Sequence, residues 1–296
     1  MIMKFSFILW FSAAAYVGAF QFPFFAARVP TIAGGDPGLI LNQWSGAGAA
    51  FSIRLLDTNY SGNCLKVRRS SDNTEQDIGF SSGSIDVASL ESFCSATDGF
   101  VSKWYDQSGN ANDLAMATQG TQPKIVTSGI THTNGTNPTV TFTSTKRLGL
   151  TSDLSGNQPW TVASVWSYES GYEIQPLTYN SDSGGSCIIT YGAPGGYYLY
   201  VASNTKYSQY NGTLPNYATS VFIAYTGYQT AVINGSALTP FAGNQNNSSG
   251  DFQSMGGNTG TRGHTGTIQE LIFWSSDLGA DAFLIDDNLN AYFLAH

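Results

Sequence analysis

The 296-residue sequence predicts an all-β protein, a β-sandwich with one short internal helix and a C-terminal helix. Charged residues are only 11% of the chain, and Gly, Ser, Thr and Asn supply most of its polarity, which favours strands joined by tight turns. Short β-branched or aromatic runs recur between turn signals, as in sandwich proteins. These runs are AFSIRLL, CLKVRR, GFVSKWY, TVTFT, TVASVWS, SCIITY, YYLYVAS, SVFIAYTGY, TAVIN and TIQELIFWS.

Several positions are predicted to be buried. Both alternating faces of SVFIAYTGY are largely apolar, which indicates an inner strand covered on both sides. Four tryptophans in strand-like runs are expected in the core: Trp104, Trp160, Trp166 and Trp274. The low-complexity run GNQNNSSGDFQSMGGNTGTRGHTG, residues 243–266, is instead predicted to be a long surface loop.

Two segments have helical periodicity. SIDVASLESFCSATDG places Val87, Leu90 and Cys94 on one stripe, after a possible N-cap at Ser84 or Asp86. The C-terminal DAFLIDDNLNAYFLAH forms an amphipathic pattern that could close one edge of a sheet. Its apolar residues at helical spacing are Ile285, Leu289, Tyr292 and Phe293.

Residues 1–45 are predicted to form an apolar signal or anchor followed by a Pro- and Gly-rich linker, and residues 46–296 a single domain. The first segment, MIMKFSFILWFSAAAYVGAFQ, has the basic start, apolar run and small-residue cleavage site of a secretory signal. Alternatively these residues are retained as an aromatic anchor that docks against other subunits of an assembly. Both readings place the domain outside the cell or on a virion surface.

Composition and single residues exclude several function classes. The net charge of -8 argues against a nucleic-acid partner. The odd number of cysteines leaves open one disulfide plus a free thiol, or three thiols, among Cys64, Cys94 and Cys187. His132 and His264 lie in Thr/Gly loops without a second His or Cys at zinc-ligand spacing.

The run DQSGNANDL is more polar than an ordinary turn requires. Asp106, Asn110 and Asp113 are hard oxygen ligands and make a weak candidate for a calcium site, although the run fails the EF-hand template. A sugar contact is the second possibility. The third, which we favour, is a chain corner in which Asp106 forms an Asx-turn, Ser108 and Asn110 bond local amides, and Gly109 adopts positive φ.

Two segments of the chain, CLKVRRSSDNTEQDIGF and FCSATDGFVSKWYDQSGNANDL, resemble the catalytic domain of the α-L-arabinofuranosidase B family. They occur in the same order and at similar spacing. They also resemble modules of phage tail and fibre proteins and of secreted microbial proteins. The resemblance is strong over residues 46–126 and weak afterwards. It implies a concanavalin A-like jelly roll and, in true enzymes, retaining hydrolysis by a nucleophile and an acid/base.

The family's catalytic residues do not carry over well. The resemblance places the acid/base in a Gly-Gly-Asp motif, which matches Gly256-Gly257-Asn258 here, and an amide cannot act as the proton donor. The nucleophile segment matches TYNSDS, residues 178–183, which lacks the family's Glu and its cysteine pair. Asp182 is therefore only a weak catalytic candidate.

Glycan contacts are predicted from aromatic and charged residues. Tyr207 and Tyr210, flanked by polar residues, are the best candidates, with Tyr198 next. Arg69, beside Arg68, could clamp an acidic sugar or pair with neighbouring acids across strands. Asp106 is the remaining glycan candidate.

The sequence thus predicts a non-catalytic structural or glycan-adhesion module, extracellular or on a virion, that is a degenerate relative of a glycosidase. The expected partners are a cell-surface or polymeric glycan and, through the N-terminal arm, copies of itself or other virion subunits. No cofactor is expected, with calcium the weak exception. The alternative is an active α-L-arabinofuranosidase or related retaining hydrolase that uses Asp182 and one of three other carboxylates, namely Asp251, Asp277 and Asp281.

Overall fold

The structure is a computed structural model that describes most of the chain from residue 38 onward. The described residues are 38–157, 159–169, 178–179, 189–193, 196–200, 207–210, 217–225, 228–238, 241–242, 251–257 and 263–294. The predicted N-terminal signal or anchor, residues 1–19, lies outside them.

The described residues form mostly short strands, with three helices and two 3-10 turns. The strands are β1 (Ala49–Ser52), β2 (Leu65–Arg69), β3 (Glu75–Ile78), β4 (Phe80–Ser81), β5 (Ser84–Ile85), β6 (Gly99–Trp104), β7 (Leu114–Ala115), β8 (Lys124–Thr127), β9 (Ile130–Thr131), β10 (Thr133–Asn134), β11 (Asn137–Pro138), β12 (Val140–Phe142), β13 (Leu148–Leu154), β14 (Trp160–Tyr168), β15 (Thr178–Tyr179), β16 (Ile189–Ala193), β17 (Gly196–Tyr200), β18 (Tyr207–Tyr210), β19 (Tyr217–Tyr225), β20 (Tyr228–Ile233), β21 (Ser236–Ala237), β22 (Phe241–Ala242), β23 (Phe252–Met255) and β24 (Gly266–Trp274). The helices are α1 (Ile40–Gln43), α2 (Val87–Cys94) and α3 (Ala282–Phe293), and the 3-10 turns are Gln119–Thr121 and Gly279–Asp281.

Strand β24 is the centre of the fold. It pairs along one side with β14, which continues through β19 to β20. On its other side it pairs with β1 and β12, and β12 continues through β8 and β6 to β2 and β3. All of these pairings are antiparallel, which confirms the prediction of an all-β sandwich.

The core is built from the residues that the sequence indicated. The four tryptophans predicted to be buried are fully enclosed. Strand β19 is buried along seven of its nine residues, as expected for an inner strand covered on both sides.

Both predicted helices are present. Asp86 is the N-cap of α2, and its carboxylate accepts the Ser89 N–H at 3.0 Å. Helix α2 ends at Cys94, earlier than the sequence suggested. Helix α3 contacts β14, β19 and β20, so it lies across a sheet face and does not close an edge.

Two packed segments lie where the sequence predicted irregular chain. Ile40 and Leu41, assigned to the linker, are buried in the core. The prediction of a surface loop over 243–266 is wrong for β23, because Phe252 and Met255 are buried core residues. The surrounding Gly, Asn and Ser residues are typical of loops, so the sequence pattern did not indicate a strand. Among the described helices, none is long and apolar enough to cross a membrane.

Candidate functional site

A tight bend follows β23 at Gly256 and Gly257, where the resemblance implies the acid/base motif. Gly256 has φ +86°, and a Cβ atom there would lie 2.2 Å from Cδ1 of Phe142. The carbonyl of Gly256 accepts the His264 N–H at 2.7 Å, and the Gly257 carbonyl accepts the Ser254 hydroxyl at 2.7 Å. The bend is therefore a buried, hydrogen-bonded element in which glycine is required at position 256.

The two segments to which the resemblance assigns the catalytic residues begin on neighbouring strands. Thr178 of β15 lies directly opposite Ser254 of β23. The segment that would carry the nucleophile and the bend that would carry the acid are thus next to each other at this pairing. Asp182 and Asn258 themselves lie outside the described residues.

His264 lies next to this bend, and no functional role was predicted for it from the sequence. The ring is fully buried, its Nε2 is 3.3 Å from the Thr267 carbonyl, and its Nδ1 has no hydrogen-bond partner. Its centroid is 6.3 Å from that of Phe142, edge to face. Burial lowers the pKa of His264 to about 4, so the ring is neutral at pH 7. No sequence signal marks this burial, because the flanking residues are Gly and Thr.

Two of the three carboxylates considered as replacement acids accept backbone N–H groups, and the side chain of the third, Asp281, makes no capping hydrogen bond. Asp251 accepts the Gly156 N–H at 3.3 Å, and Asp277 accepts the Gly279 N–H at 2.8 Å. Asp281 is the N-cap residue of α3. Asp277 and Asp281 belong to the connection between β24 and α3, whereas Asp251 precedes β23.

The polar run after β6 is a corner of the chain. Asp106 is buried, and its Oδ1 accepts the N–H groups of Ala50 and Ser108, each at 2.8 Å. Its Oδ2 accepts the Ser108 hydroxyl at 2.8 Å and the Asn112 N–H at 2.9 Å. Gly109 has φ +87°. The predicted Asx-turn and positive φ are confirmed.

The other atoms of this corner are also engaged. Asn110 donates to the Ala47 carbonyl at 2.8 Å rather than to a local amide. Asp113 accepts the Asp106 N–H at 3.0 Å and pairs with Lys103 at 3.0 Å. Because protein donors occupy the Asp106 oxygens inside the fold, the suggestions that Asp106 contacts a glycan or holds calcium are not supported. No cluster of metal-binding side chains is found among the described residues.

The two arginines of β2 differ in their partners. Arg69 pairs with Asp72 at 2.6 Å within the β2–β3 turn, and this bond lowers the Asp72 pKa. Arg69 also donates to the Phe93 carbonyl at 2.9 Å. Its acid partner is thus in the same turn rather than across the strands. Arg68 instead bonds the side-chain oxygens of Gln122 and Asn73 at 2.7 and 2.8 Å.

The tyrosine candidates belong to a three-stranded sheet formed by β16, β17 and β18. Tyr200 is opposite Tyr207, and Tyr198 is two residues from Tyr200 on the same strand. Because strand residues alternate between faces, Tyr198 and Tyr207 share one face. Tyr210, which is opposite Tyr197, belongs to the other face. The pair Tyr207 and Tyr210, grouped by the sequence, is therefore divided between two surfaces.

Two cysteines fall within the described residues, and both are free thiols. Cys64 and Cys94 are buried. Burial raises the pKa of the Cys94 thiol to about 11, so it is protonated and unreactive at neutral pH. Cys187 lies outside the described residues.

Comparisons with known proteins agree with this architecture. Alpha-L-arabinofuranosidase B of Emericella nidulans is 39% identical over 71 residues, which are 23% of this chain and 14% of that protein. A GH54 α-L-arabinofuranosidase soaked with a cyclic sulfate inhibitor superposes with a TM-score of 0.67 at 18% identity, covering 88% of this chain and 66% of the other. An arabinofuranosidase complexed with arabinofuranosyl-α-1,2-xylobiose gives 0.62 at 18% identity, covering 87% and 65%.

These structural matches support the predicted jelly-roll sandwich. The chain spans a small part of the curated relative and just under two thirds of each solved structure. The family model for the catalytic domain of alpha-L-arabinofuranosidase B matches residues 45–193, about half of the chain. This protein therefore belongs to the α-L-arabinofuranosidase B catalytic-domain family.

Proposed function

We propose that this domain is an extracellular module that binds arabinofuranose-bearing glycans without hydrolysing them. The observation that carries the proposal is Asn258, which follows Gly256 and Gly257, where the family resemblance implies the proton donor. One solved relative is complexed with an arabinofuranosyl xylobiose, and that ligand indicates the class of glycan to test.

The bend before Asn258 supports this proposal. Gly256 packs against Phe142 in a conformation that excludes other residues, and hydrogen bonds from Ser254 and His264 hold the bend. The bend that leads to Asn258 is thus firmly held, while Asn258 itself carries an amide. A domain that has this fold and bend but no acid at this position is expected to retain sugar binding.

The chemistry of the substitution argues against hydrolysis. Positioned proton transfer contributes about 10²- to 10⁴-fold to such reactions. Asn258 cannot transfer a proton at useful pKa, and the segment at 178–183 has no Glu to form the covalent intermediate. Placement on a virion depends on the N-terminal arm and stays a prediction.

The test of the proposal measures binding and turnover on the same preparation. We expect arabinofuranosyl-xylobiose to bind in calorimetry, and 4-nitrophenyl α-L-arabinofuranoside to release nitrophenol no faster than in buffer alone. If the wild type hydrolyses the substrate and Asp182→Asn abolishes this turnover, the domain is an active enzyme and the proposal is wrong. The exposed control Asp153→Asn should leave any turnover unchanged.

Tyrosine variants locate the binding face. Tyr198→Ala and Tyr207→Ala lie on one sheet face and should each weaken binding, by about three- to tenfold for loss of an aromatic contact. Tyr210→Ala, on the opposite face, is the matched control. Equal effects of all three variants would contradict binding by one face, and no effect of any would remove the tyrosine sheet from the site.

A further inference from the structure

A cleft of about 430 Å³ is lined by side chains of β6, β8 and β12 and of the chain segments after β9 and β12. The backbone of Lys146, one of its lining residues, lies next to Gly256. The volume of the cleft is within the range of small-molecule sites. Its lining combines one aromatic ring, two ammonium groups, an imidazole and threonine hydroxyls, and we name it the basic cleft. The residues used below are Phe100, Lys124, His132, Thr141, Thr143 and Lys146.

A cross-strand row forms the floor of the basic cleft. Arg68 is opposite Phe100, Phe100 is opposite Lys124, and Lys124 is opposite Thr141. Directly opposed residues project to the same face of a sheet. The Arg68 guanidinium lies 4.7 Å from the Phe100 ring centroid and the Lys124 ammonium 5.3 Å from it. The ring is thus flanked by two cations.

The positive charge of the lysines in the basic cleft is only partly neutralised. Lys124 pairs with Asp98 at 2.8 Å. Lys146 donates to the Gly120 carbonyl at 2.5 Å, and Arg68 bonds only amide oxygens. Within the described part of the chain, the two lysines that line the cleft therefore have one carboxylate as ion-pair partner, in a protein whose net charge is -8. Arg68, which does not line the cleft, interacts electrostatically with Glu75 on β3. A local excess of positive charge attracts anions.

His132 supplies hydrogen-bonding capacity to the basic cleft. Its Nδ1 is 2.7 Å from the Thr141 hydroxyl and its Nε2 is 2.7 Å from the Thr127 hydroxyl. Burial, and then the nearby Lys124, lower the His132 pKa, so the ring is neutral at pH 7. A neutral imidazole donates through one nitrogen only. The hydroxyl that accepts this bond keeps its own proton for another acceptor.

We propose that the basic cleft binds the anionic group of an acidic saccharide, either the carboxylate of a uronic acid or a sulfate ester. Lys124 and Lys146 supply charge, a threonine hydroxyl supplies a further donor, and the apolar edge of Phe100 contacts the sugar ring. The assignment to a saccharide depends on the proposed glycan-binding function, whereas the affinity for an anion depends on the cleft alone.

The experiment compares four probes by titration calorimetry at about 50 mM and about 300 mM NaCl. The higher salt concentration shortens the Debye length and therefore weakens the attraction between exposed charges. The probes are trigalacturonic acid, a sulfated galactobiose, neutral arabinofuranosyl-xylobiose and inorganic sulfate. We expect at least one acidic saccharide to bind more tightly at low salt and more tightly than inorganic sulfate. The better of the two identifies the anionic group.

Variants tie this binding to the basic cleft. Lys124→Gln combined with Lys146→Gln should weaken the acidic saccharide by about tenfold or more, since charge-assisted bonds are stronger than neutral ones. Lys66→Gln removes a half-exposed lysine of β2 that pairs with Asp77, and is the matched control. Thr141→Val, which removes a hydroxyl bonded to His132 and preserves the lysines, should weaken binding by a smaller factor.

The outcomes separate this inference from the proposed function. Acidic saccharides that bind no better than inorganic sulfate, or an equal loss in the Lys66→Gln control, would overturn the inference. Binding of arabinofuranosyl-xylobiose that is unchanged in the double lysine variant would leave the proposed function standing on its own. Failure of the wild type to bind that neutral ligand, while an acidic saccharide still binds, would count against the proposed function and not against the anion site.

Discussion

The Arg54 guanidinium and the Glu270 carboxylate form a buried ion pair with two contacts of 2.8 Å. Arg54 is 2% exposed and Glu270 is fully buried. Glu270 lies on the central strand β24, and Arg54 also bonds Asn288 of α3 at 2.9 Å. Its guanidinium lies 4.8 Å from the ring centroid of Tyr292. The pair thus connects the central strand to the C-terminal helix.

Glu270→Gln should lower the free energy of unfolding by about 3 kcal/mol, because it leaves the Arg54 charge buried without a counter-ion. Urea denaturation followed by circular dichroism measures this change. Glu169→Gln makes the same chemical change at an exposed position and should alter stability by no more than about 0.5 kcal/mol. Equal effects of the two variants would show that the buried pair does not stabilise the fold.

Asp106→Asn should also destabilise the domain. The amide nitrogen of Asn would face the Asn112 N–H and the Ser108 hydroxyl, which now donate to a carboxylate oxygen. The loss of charge-assisted bonds in a buried corner is expected to cost about 2 to 3 kcal/mol in urea denaturation. Asp153→Asn, which changes an exposed carboxylate, is the control.

Calcium distinguishes the corner from a metal site. If Asp106, Asn110 and Asp113 serve only to fold the chain, the wild-type melting midpoint should be the same in calcium and in chelator. A midpoint that rises with calcium, and no longer does so in Asp106→Asn, would contradict the corner interpretation.

Local patterns in the sequence predicted much of the fold. Aromatic and β-branched runs located the strands of the core, and the Asp86 cap located the start of α2. Strand β23 was missed because Phe252 and Met255 are surrounded by Gly, Asn and Ser, so their burial has no local signal. Its core position follows from pairing with β13 and β15, which are distant in the chain.

The site was less predictable because it depends on contacts between distant segments. Tyr207 and Tyr210 are close in sequence, yet their register with β17 assigns them to opposite faces. Conversely, Arg68, Phe100 and Lys124 are far apart in sequence and form one row. Spacing alone cannot predict either result, since strand register decides both.

Gly256→Ala tests the bend that precedes Asn258. The methyl group of alanine would clash with the Phe142 ring, and the alanine backbone would have to keep a positive φ. We therefore expect a loss of stability of about 3 kcal/mol or more. Gly109→Ala is the matched control, because Gly109 has φ +87° and open space around it. It should cost only the backbone strain, about 1 to 2 kcal/mol. Similar losses for both variants would show that the Phe142 contact adjusts freely.

His264 should make stability depend on pH in the acidic range. Its folded pKa of about 4 is below the ordinary value of 6.5, so the unfolded chain takes up the proton first as the pH falls. The stability held by the neutral ring is therefore complete above pH 6.5 and is lost as the pH falls towards 4. A depression of this size corresponds to roughly 3 kcal/mol at most.

The measurement compares wild type and His264→Gln by urea denaturation between pH 7 and pH 4. Glutamine retains a donor and an acceptor but does not titrate, and all other ionisable groups are common to both proteins. The difference in stability between wild type and variant should therefore shift in favour of the variant as the pH falls. Parallel profiles would mean that His264 is reached by water or by a compensating acid, and that its ring is not the neutral support of the bend at Gly256.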